Sequence, residues 1–133
     1  MKLFDSTFGT LERALDLRFK RHAVLSTNVA NAETPNYRAR ELDFSSELIR
    51  AVSGPGTSAL EKTNPLHMDI EGSEQAHMIY DNQGAVGADG NNVDIDLAMG
   101  KIGENSGGFE TTATYLQLKL KALRAAARGA GGE

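Results

Sequence analysis

Apolar side chains recur at alternating spacings of four and three residues near both ends of the 133-residue chain. Near the N-terminus, one seven-residue series holds Phe4, Leu11, Arg18 and Leu25, and a second holds Phe8, Leu15, His22 and Val29. This alternation is typical of a helix that presents an apolar seam to another helix, as in a coiled coil. It predicts a first helix from about Leu3 to Ala32, with Arg18 and His22 interrupting the middle of its seam.

The C-terminal part of the chain repeats the same pattern. One series holds Ile95, Ile102, Phe109, Leu116 and Leu123, and the other holds Met99, Ser106, Ala113, Leu120 and Ala127. The pattern predicts a second long helix from Val93 to about Arg128. Gly100, Gly103, Gly107 and Gly108 fall inside it, and each glycine costs about 1 kcal/mol relative to alanine in a helix interior. We therefore expect this helix to be frayed or bent in a free monomer and regular only when packed.

The first helix is expected to end before Pro35. Proline lacks an amide hydrogen and forces the preceding residue, Thr34, out of the helical region. Asn31 tolerates the left-handed conformation that often ends a helix. Pro35 and Asn36 together suit the two central positions of a tight turn.

The chain after this turn has a weaker pattern. Residues 37–44 alternate in part and predict an extended segment, and residues 45–52 predict a short helix with Ser45 as its N-cap. Residues 53–92 are poor in periodicity, and glycines open and close this stretch. We expect them to form an arm that lies on a partner, with short extended pieces at 67–70 and 77–80.

These patterns predict a mainly α protein in which two long N- and C-terminal helices pair as an antiparallel coiled coil around an irregular or extended middle arm. The expected divisions are residues 1–34, 35–92 and 93–133. Two helices alone bury little apolar surface, so self-association or co-assembly is expected to complete the core. The candidate assembly interface consists of Phe8, Leu11, Leu15, His22, Leu25, Val29, Ile102, Phe109, Leu116, Leu120 and Leu123.

The amino-acid composition excludes several classes of functional site. There is no cysteine, which excludes disulfides, cysteine–zinc sites and thiol nucleophiles. The net charge is −4, and the stretch 51–110 alone carries 10 acidic and 2 basic side chains. Nucleic-acid binding is therefore not expected, although basic residues surround Phe19 and Tyr37. Residues 1–8 lack the apolar run of a secretory signal, and no window approaches the ~20 apolar residues of a membrane span.

Candidate catalytic or metal-binding groups are few. His67 and the pair His77 and Asp81 could be considered as metal ligands, but no His-Glu-x-x-His pair accompanies them. The acidic run 89–96 departs from a calcium loop where Val93 replaces an oxygen ligand. His22 lies on the seam and suits a polar interface residue better than a general base. We therefore expect no enzyme activity, no cofactor and no bound metal.

Residues 28–38 carry the most specific motif of the chain: Asn28, Asn31, Thr34, Pro35, Asn36, Tyr37 and Arg38. This segment closely resembles the N-terminal signature of bacterial flagellar rod and hook proteins, in which the turn after Thr-Pro usually contains glycine. Asparagine is the next residue most tolerant of a positive φ, so Asn36 is expected to keep that turn. Segments 39–44, 63–67 and 89–94 and the short chain are similar to the proximal rod proteins of the basal body.

The resemblance implies a non-enzymatic subunit of the axial driveshaft that crosses the periplasm. Such subunits pair their terminal helices along the inner tube of a helical assembly, and the segment after the Thr-Pro turn wraps neighbours. The implied partners are other copies, other rod proteins, the ring-to-rod junction protein, the flagellar export gate and the membrane ring. The implied route is export from the cytoplasm without a cleaved signal peptide. The alternative is a small cytoplasmic helical adaptor or export chaperone.

Overall fold

The protein is described by a computed structural model that covers residues 6–53 and 77–129. In chain order its elements are α1 Ser6–Ala30, β1 Arg40–Leu42, α2 Phe44–Ser53, β2 Met78–Tyr80 and α3 Ile95–Gly129. The two long helices α1 and α3 pack together, and α2 and β1 lie against α1. The prediction of a mainly α protein with paired terminal helices is confirmed.

The helices α1 and α3 run in opposite directions. The side-chain amide of Asn105 donates to the backbone carbonyl oxygen of Arg18 at 2.9 Å. Further along α1, Leu25 lines a small cavity together with Ala98. Residue numbers thus rise along α1 as they fall along the facing side of α3, which makes the pair antiparallel.

The face that each helix turns toward the other is displaced by about one residue from the predicted seam. In the described parts of the two helices, the buried residues are Ala14, Leu17, Leu25, Asn28, Ala98 and Asn105. His22 and Met99, which the seam placed inside, are exposed. A one-residue displacement rotates the face by about 100° on an α-helix. Leu17 and the predicted seam residue Leu25 share this buried face with small and polar side chains, which let the two backbones approach and form hydrogen bonds.

Helix α3 is continuous through its four inner glycines, from Ile95 to Gly129. The expected fraying or bending is therefore not seen. Thr111 and Thr112 donate hydrogen bonds to the carbonyl oxygens of Gly107 and Gly108, each at 2.8 Å. Packing against α1 adds burial at Asn105, so tertiary contacts outweigh the weak intrinsic propensity of this stretch.

A tight turn follows α1, as predicted. The Tyr37 amide donates to the Thr34 carbonyl at 3.2 Å, with Pro35 and Asn36 at the two central positions. Asn36 has φ +59°, the left-handed conformation that a turn of this kind needs at its third residue. Asn31 does not use its tolerance for this conformation, because among the described non-glycine residues Asn36 alone has a positive φ.

The predicted extended segments and the short helix are present, and the N-cap of the short helix differs from the prediction. β1 and β2 pair in antiparallel register, with Arg40 opposite Tyr80, within the predicted extended segments. α2 is capped by Asp43 and not by Ser45, since the Ser46 amide and hydroxyl donate to the Asp43 carboxylate at 3.1 and 2.6 Å. These hydrogen bonds lower the pKa of Asp43. The piece predicted at 67–70 lies outside the described residues.

Candidate functional site

Asn28, in the last turn of α1, fastens the outer edge of β1 to the helix. It is 2% exposed. Its side-chain oxygen accepts from the Arg40 amide at 3.0 Å, and its side-chain nitrogen donates to the Arg40 carbonyl at 2.7 Å. The Tyr37 hydroxyl donates to the same oxygen at 3.1 Å. One side chain thus takes the place of a neighbouring strand, and it brings two predicted motif residues together.

Asn91, which lies far along the chain, holds the turn that follows the C-terminal end of α1. Its side-chain nitrogen lies 3.0, 2.8 and 2.9 Å from the carbonyl oxygens of Asn31, Ala32 and Thr34. These three residues follow Ala30, the last residue of α1. The Asn91 amide therefore ties down the turn after the helix, where buried backbone carbonyls are expensive to leave unpaired.

The turn at Asn36 is covered by the loop that contains Asn91. The Asn36 amide donates to the Asp89 carbonyl at 2.9 Å. Gly90 has φ +78°, and a Cβ at this position would lie 2.6 Å from Asn36 Oδ1. The loop can therefore close on the turn only with a residue that has no side chain here.

Asn92 connects the same loop to the extended segment after the turn and to the residue that follows β2. Its side-chain oxygen accepts from the Ala39 amide at 2.7 Å, and its side-chain nitrogen donates to the Asp81 carbonyl at 2.6 Å. We name Asn28, Asn91 and Asn92 the asparagine clasp. The clasp joins the two motif segments 28–38 and 89–94, and all three side chains are buried. Sequence reasoning singled out both segments but missed their contact.

The remaining motif residues lie at the surface of this turn. Thr34, Pro35 and Arg38 are exposed. The Thr34 hydroxyl donates to the side-chain oxygen of Asn31 at 3.1 Å. The motif therefore divides into an inner polar part that holds the turn and an outer part that faces away from the chain.

Four charged side chains form a cluster where α1, α3 and the sheet meet. Arg21 Nε lies 2.8 Å from Glu41 Oε1, and Lys101 Nζ lies 3.1 Å from Glu41 Oε2. Lys101 also pairs with Asp81. Burial lowers the pKa of Lys101, but its hydrogen bonds with Asp81 and Glu41 outweigh burial and raise the pKa above its ordinary value. We name these four residues the charge cluster; no spacing in the sequence predicted it.

A second polar contact holds the middle of α1. The guanidinium of Arg18 lies over the Phe44 ring, with Cζ 4.7 Å from the ring centre. A Cβ at Gly108 would lie 2.2 Å from Arg18 Nη1. The glycine in α3 therefore makes the space that the arginine occupies. We name the space between Phe44 and Gly108 the arginine slot.

The predicted assembly residues differ in how much of their surface is exposed. Leu25 is buried, and His22 and Phe109 are exposed. The half-buried members are Phe8, Leu11, Leu15, Val29, Ile102, Leu116, Leu120 and Leu123. The structure thus does not gather them into the α1–α3 contact, and most keep surface that other molecules can cover.

One side of α3 presents apolar residues to solvent. Ile95, Met99 and Phe109 are 51%, 54% and 40% exposed. They lie with the half-buried Ile102 at helical spacing, and we name these four residues the α3 stripe. Exposed apolar patches of this kind are typical of interaction surfaces.

The described part of the chain contains neither a metal-binding cluster nor a membrane-spanning helix. In residues 6–53 and 77–129, no three histidine or acidic side chains come together to hold a metal ion. His67 lies outside these ranges. No helix in the same ranges is both long and apolar enough to cross a membrane.

The relatives found by comparison with known proteins all carry the same name. No protein-family model matches the chain. The chain is 31% identical over 127 residues to the flagellar basal body rod protein FlgB of Proteus mirabilis, covering 91% of this chain and 93% of that protein. It is 34% identical to the FlgB protein of Cereibacter sphaeroides, covering 95% and 97%. It is 33% identical to that of Salmonella typhimurium, covering 90% and 91%.

Proposed function

Since the chain belongs to the family of flagellar basal body rod proteins named FlgB, we propose that it packs its terminal helices against those of neighbouring subunits at the proximal end of the rod. The resulting helical assembly transmits torque and surrounds the export channel. In this proposal the protein is structural and non-enzymatic.

The α3 stripe is the observation that carries the packing proposal. Three large apolar side chains of one helix are about half exposed in the single chain. Burying the rest of such a side chain contributes roughly 1 kcal/mol. Repeated along a helix and over many subunits, such contacts supply the distributed contact area that a shaft under torsion needs.

The asparagine clasp supports the role of the middle segment. Buried asparagines hold the start of this segment at a defined angle to α1, through hydrogen bonds of 2.6 to 3.1 Å. A segment fixed at its base can reach a neighbour with little loss of conformational entropy on binding. We infer that residues 35–92 act as an arm against adjoining subunits.

The proposed partners are other copies, other rod proteins, the ring-to-rod junction protein, the flagellar export gate and the membrane ring. The proposed location is the periplasmic rod, reached from the cytoplasm without a cleaved signal peptide. Family membership supports these proposals.

The deciding experiment is structural. A strain that lacks the protein would be complemented with the full chain, and its basal bodies would be purified and imaged. We expect the chain at the base of the rod, with α3 in contact with neighbouring helices. Its absence from the basal-body fraction, together with a stable cytoplasmic dimer, would instead support an adaptor or chaperone.

A further inference from the structure

The hydrogen-bond pattern of the sheet shows which backbone groups of β2 point away from β1. Directly opposed residues of an antiparallel pair alternate between hydrogen-bonded and non-hydrogen-bonded. The Asp81 amide donates to the Ala39 carbonyl at 2.9 Å, which makes this pair a hydrogen-bonded one. The next pair, Arg40 and Tyr80, is therefore non-hydrogen-bonded, and its backbone groups point outward. Two residues earlier in β2, the same holds for Met78.

The two outer edges of the sheet differ in whether these outward groups are bonded. On β1, the side chain of Asn28 accepts from the Arg40 amide at 3.0 Å and donates to its carbonyl at 2.7 Å. On β2, the outward groups of Met78 and Tyr80 form no hydrogen bond to any described residue. We name these four groups, two N–H and two C=O, the β2 edge. The sheet is therefore closed on one side and open on the other.

The side chains of β2 do not protect this edge. Met78, Ile79 and Tyr80 are 44%, 42% and 64% exposed. Proteins usually blunt an open edge with charged residues, proline or a covering element, and residues 78–80 are neither charged nor proline. Beside the strand lies a groove of about 800 Å³ that is lined by Ile79, Tyr80 and Gly100 of α3. Another strand therefore finds both unpaired backbone groups and space beside β2.

The strand is complementary to a second copy of itself. Two antiparallel β2 strands centred on Ile79 place Met78 of each copy opposite Tyr80 of the other. Both residues carry outward groups, so the four groups of each edge are satisfied at once. Such a contact is two-fold symmetric, because the same residues meet in both directions. One open edge thus supplies what the other lacks.

The residues that flank the strand suit the same register. It sets His77 of one copy opposite Asp81 of the other, on both sides of the two-fold axis. His77 is exposed. Asp81 pairs with Lys101 in its own chain, and a carboxylate accepts more than one hydrogen bond. An imidazole ring therefore meets a carboxylate at each end of the paired strands, and within residues 77–81 no like charges lie directly opposite each other.

We propose that β2 pairs edge to edge with β2 of a second copy and forms a two-fold dimer of the free chain. The result is a four-stranded sheet in the order β1–β2–β2–β1, with Asn28 closing both outer edges. A two-fold contact closes on itself, whereas a helical rod needs contacts that continue from subunit to subunit. The dimer therefore goes beyond the proposed rod function and belongs to the chain before assembly.

The size of the contact predicts a weak dimer. Three residues on each side are few against the about 20–30 of a standard protein interface. We expect a dissociation constant on the order of 0.1 mM. At a chain concentration of about 1 mM, mass action then pairs roughly four fifths of the chains.

Hydrogen exchange of the purified full chain tests the edge directly. In dilute protein, the amides of Met78 and Tyr80 should exchange fast, while the inward amide of Ile79 should be protected by its bond to β1. At about 1 mM, the two outward amides should slow about fivefold. Unchanged exchange at this concentration would overturn the proposal. Protection of the outward amides in dilute monomer would also overturn it, because the chain would then cover its own edge.

Disulfide trapping tests the register. The chain has no cysteine, so a single introduced thiol reports one position. The two Ile79 positions form a non-hydrogen-bonded pair, whose Cα atoms lie about 4.5 Å apart, within disulfide range. We expect Ile79→Cys to form a linked dimer at least about tenfold faster than Val86→Cys, although Val86 is more exposed, at 57%. Equal or slower linking of Ile79→Cys would contradict the register.

A proline variant tests the backbone bonds without touching the ladder to β1. Tyr80→Pro removes an outward N–H, and proline is tolerated on an edge strand when its position faces solvent. Sedimentation equilibrium should show association at least about tenfold weaker, since two symmetric hydrogen bonds are lost. Tyr80→Phe keeps the N–H and should match the wild type. Wild-type association of Tyr80→Pro would overturn the proposal.

The unfolding midpoint of Tyr80→Pro separates docking from folding. We expect it to match that of the wild type in dilute protein. If it falls, the exchange and thiol measurements decide, because both use chains with an intact backbone. None of these measurements involves basal bodies, so their failure leaves the rod function standing. Absence of the chain from basal bodies would in turn leave the dimer standing.

Discussion

The side-chain nitrogen of Asn91 lies 2.8 Å from the carbonyl oxygen of Ala32, a residue 59 positions earlier in the chain. The bond joins the loop before α3 to the end of α1. Ala32 follows Ala30, the last residue of α1, so the bond fixes the turn through which the chain leaves the helix. The same contact sets the position from which the middle segment leaves the helix pair.

Replacing Asn91 by alanine should destabilise the protein. The substitution removes the side-chain donor to three carbonyl oxygens. The carbonyls of Asn31 and Thr34 keep backbone donors, so the loss falls mainly on Ala32, and an unsatisfied polar group away from water costs about 1–3 kcal/mol. Urea unfolding followed by circular dichroism would measure the loss. Asn82→Ala is the matched control, because Asn82 is exposed, and it should change the free energy of unfolding little. Equal effects of the two substitutions would contradict the role of Asn91 in holding the turn after α1.

Glycine-to-alanine substitutions should have opposite effects at two positions. At Gly90, φ is +78° and a Cβ would lie 2.6 Å from Asn36 Oδ1, so Gly90→Ala should lower stability by more than about 1 kcal/mol. At Gly103, inside α3, no atom lies within 4 Å of a Cβ. Gly103→Ala should raise the stability of the free chain by about 0.5–1 kcal/mol. Thermal unfolding of both variants would test the contrast.

The charge cluster predicts a loss of stability at high pH. Hydrogen bonds with Asp81 and Glu41 outweigh burial and raise the folded-state pKa of Lys101 above its ordinary 10.5. The contribution is therefore fully present below the unfolded pKa and disappears as pH rises through the folded pKa. Lys101→Met should remove about 2 kcal/mol at neutral pH.

Unfolding free energies measured between neutral pH and the alkaline range would check this prediction. The difference between wild type and Lys101→Met should be constant at neutral pH and shrink above pH 10.5. A difference that grows with pH would contradict a raised folded-state pKa of Lys101.

The α3 stripe predicts variants that fold but do not assemble. Met99 is 54% exposed, so Met99→Asp should leave the monomer folded while preventing neighbours from burying this surface. We expect loss of motility and of basal-body incorporation, with export retained. Asn82→Asp adds the same charge in an exposed loop and should swim normally. Normal swimming of Met99→Asp would exclude the stripe from the interface.

The seam residues provide a parallel test. Leu15→Asp and Leu116→Asp place a charge on half-buried positions of α1 and α3. Both should block assembly, and both should also reduce monomer stability, because these positions are partly covered in the single chain. Basal-body incorporation and monomer unfolding would be measured for each variant. Leu15→Asp and Leu116→Asp should lower both, whereas Met99→Asp should lower incorporation alone.

The local features of the fold were predictable from the sequence. Seven-residue apolar repeats specify two long helices, and Pro35 with Asn36 specifies the turn between α1 and the extended segment. These features depend on neighbours within a few residues, where backbone sterics and helical periodicity act. The motif around Asn28 also identified the family, since its residue types are demanded by one compact turn.

The tertiary structure decided which faces meet and which polar groups pair. Apart from Leu25, the buried face lies about one residue away from the apolar seam, where Ala14, Ala98 and Gly108 allow close approach of the two helices. The clasp and the charge cluster join residues dozens of positions apart, and no periodicity encodes such contacts. Hydrogen bonds and ion pairs depend on distances of about 3 Å, which only the folded chain sets.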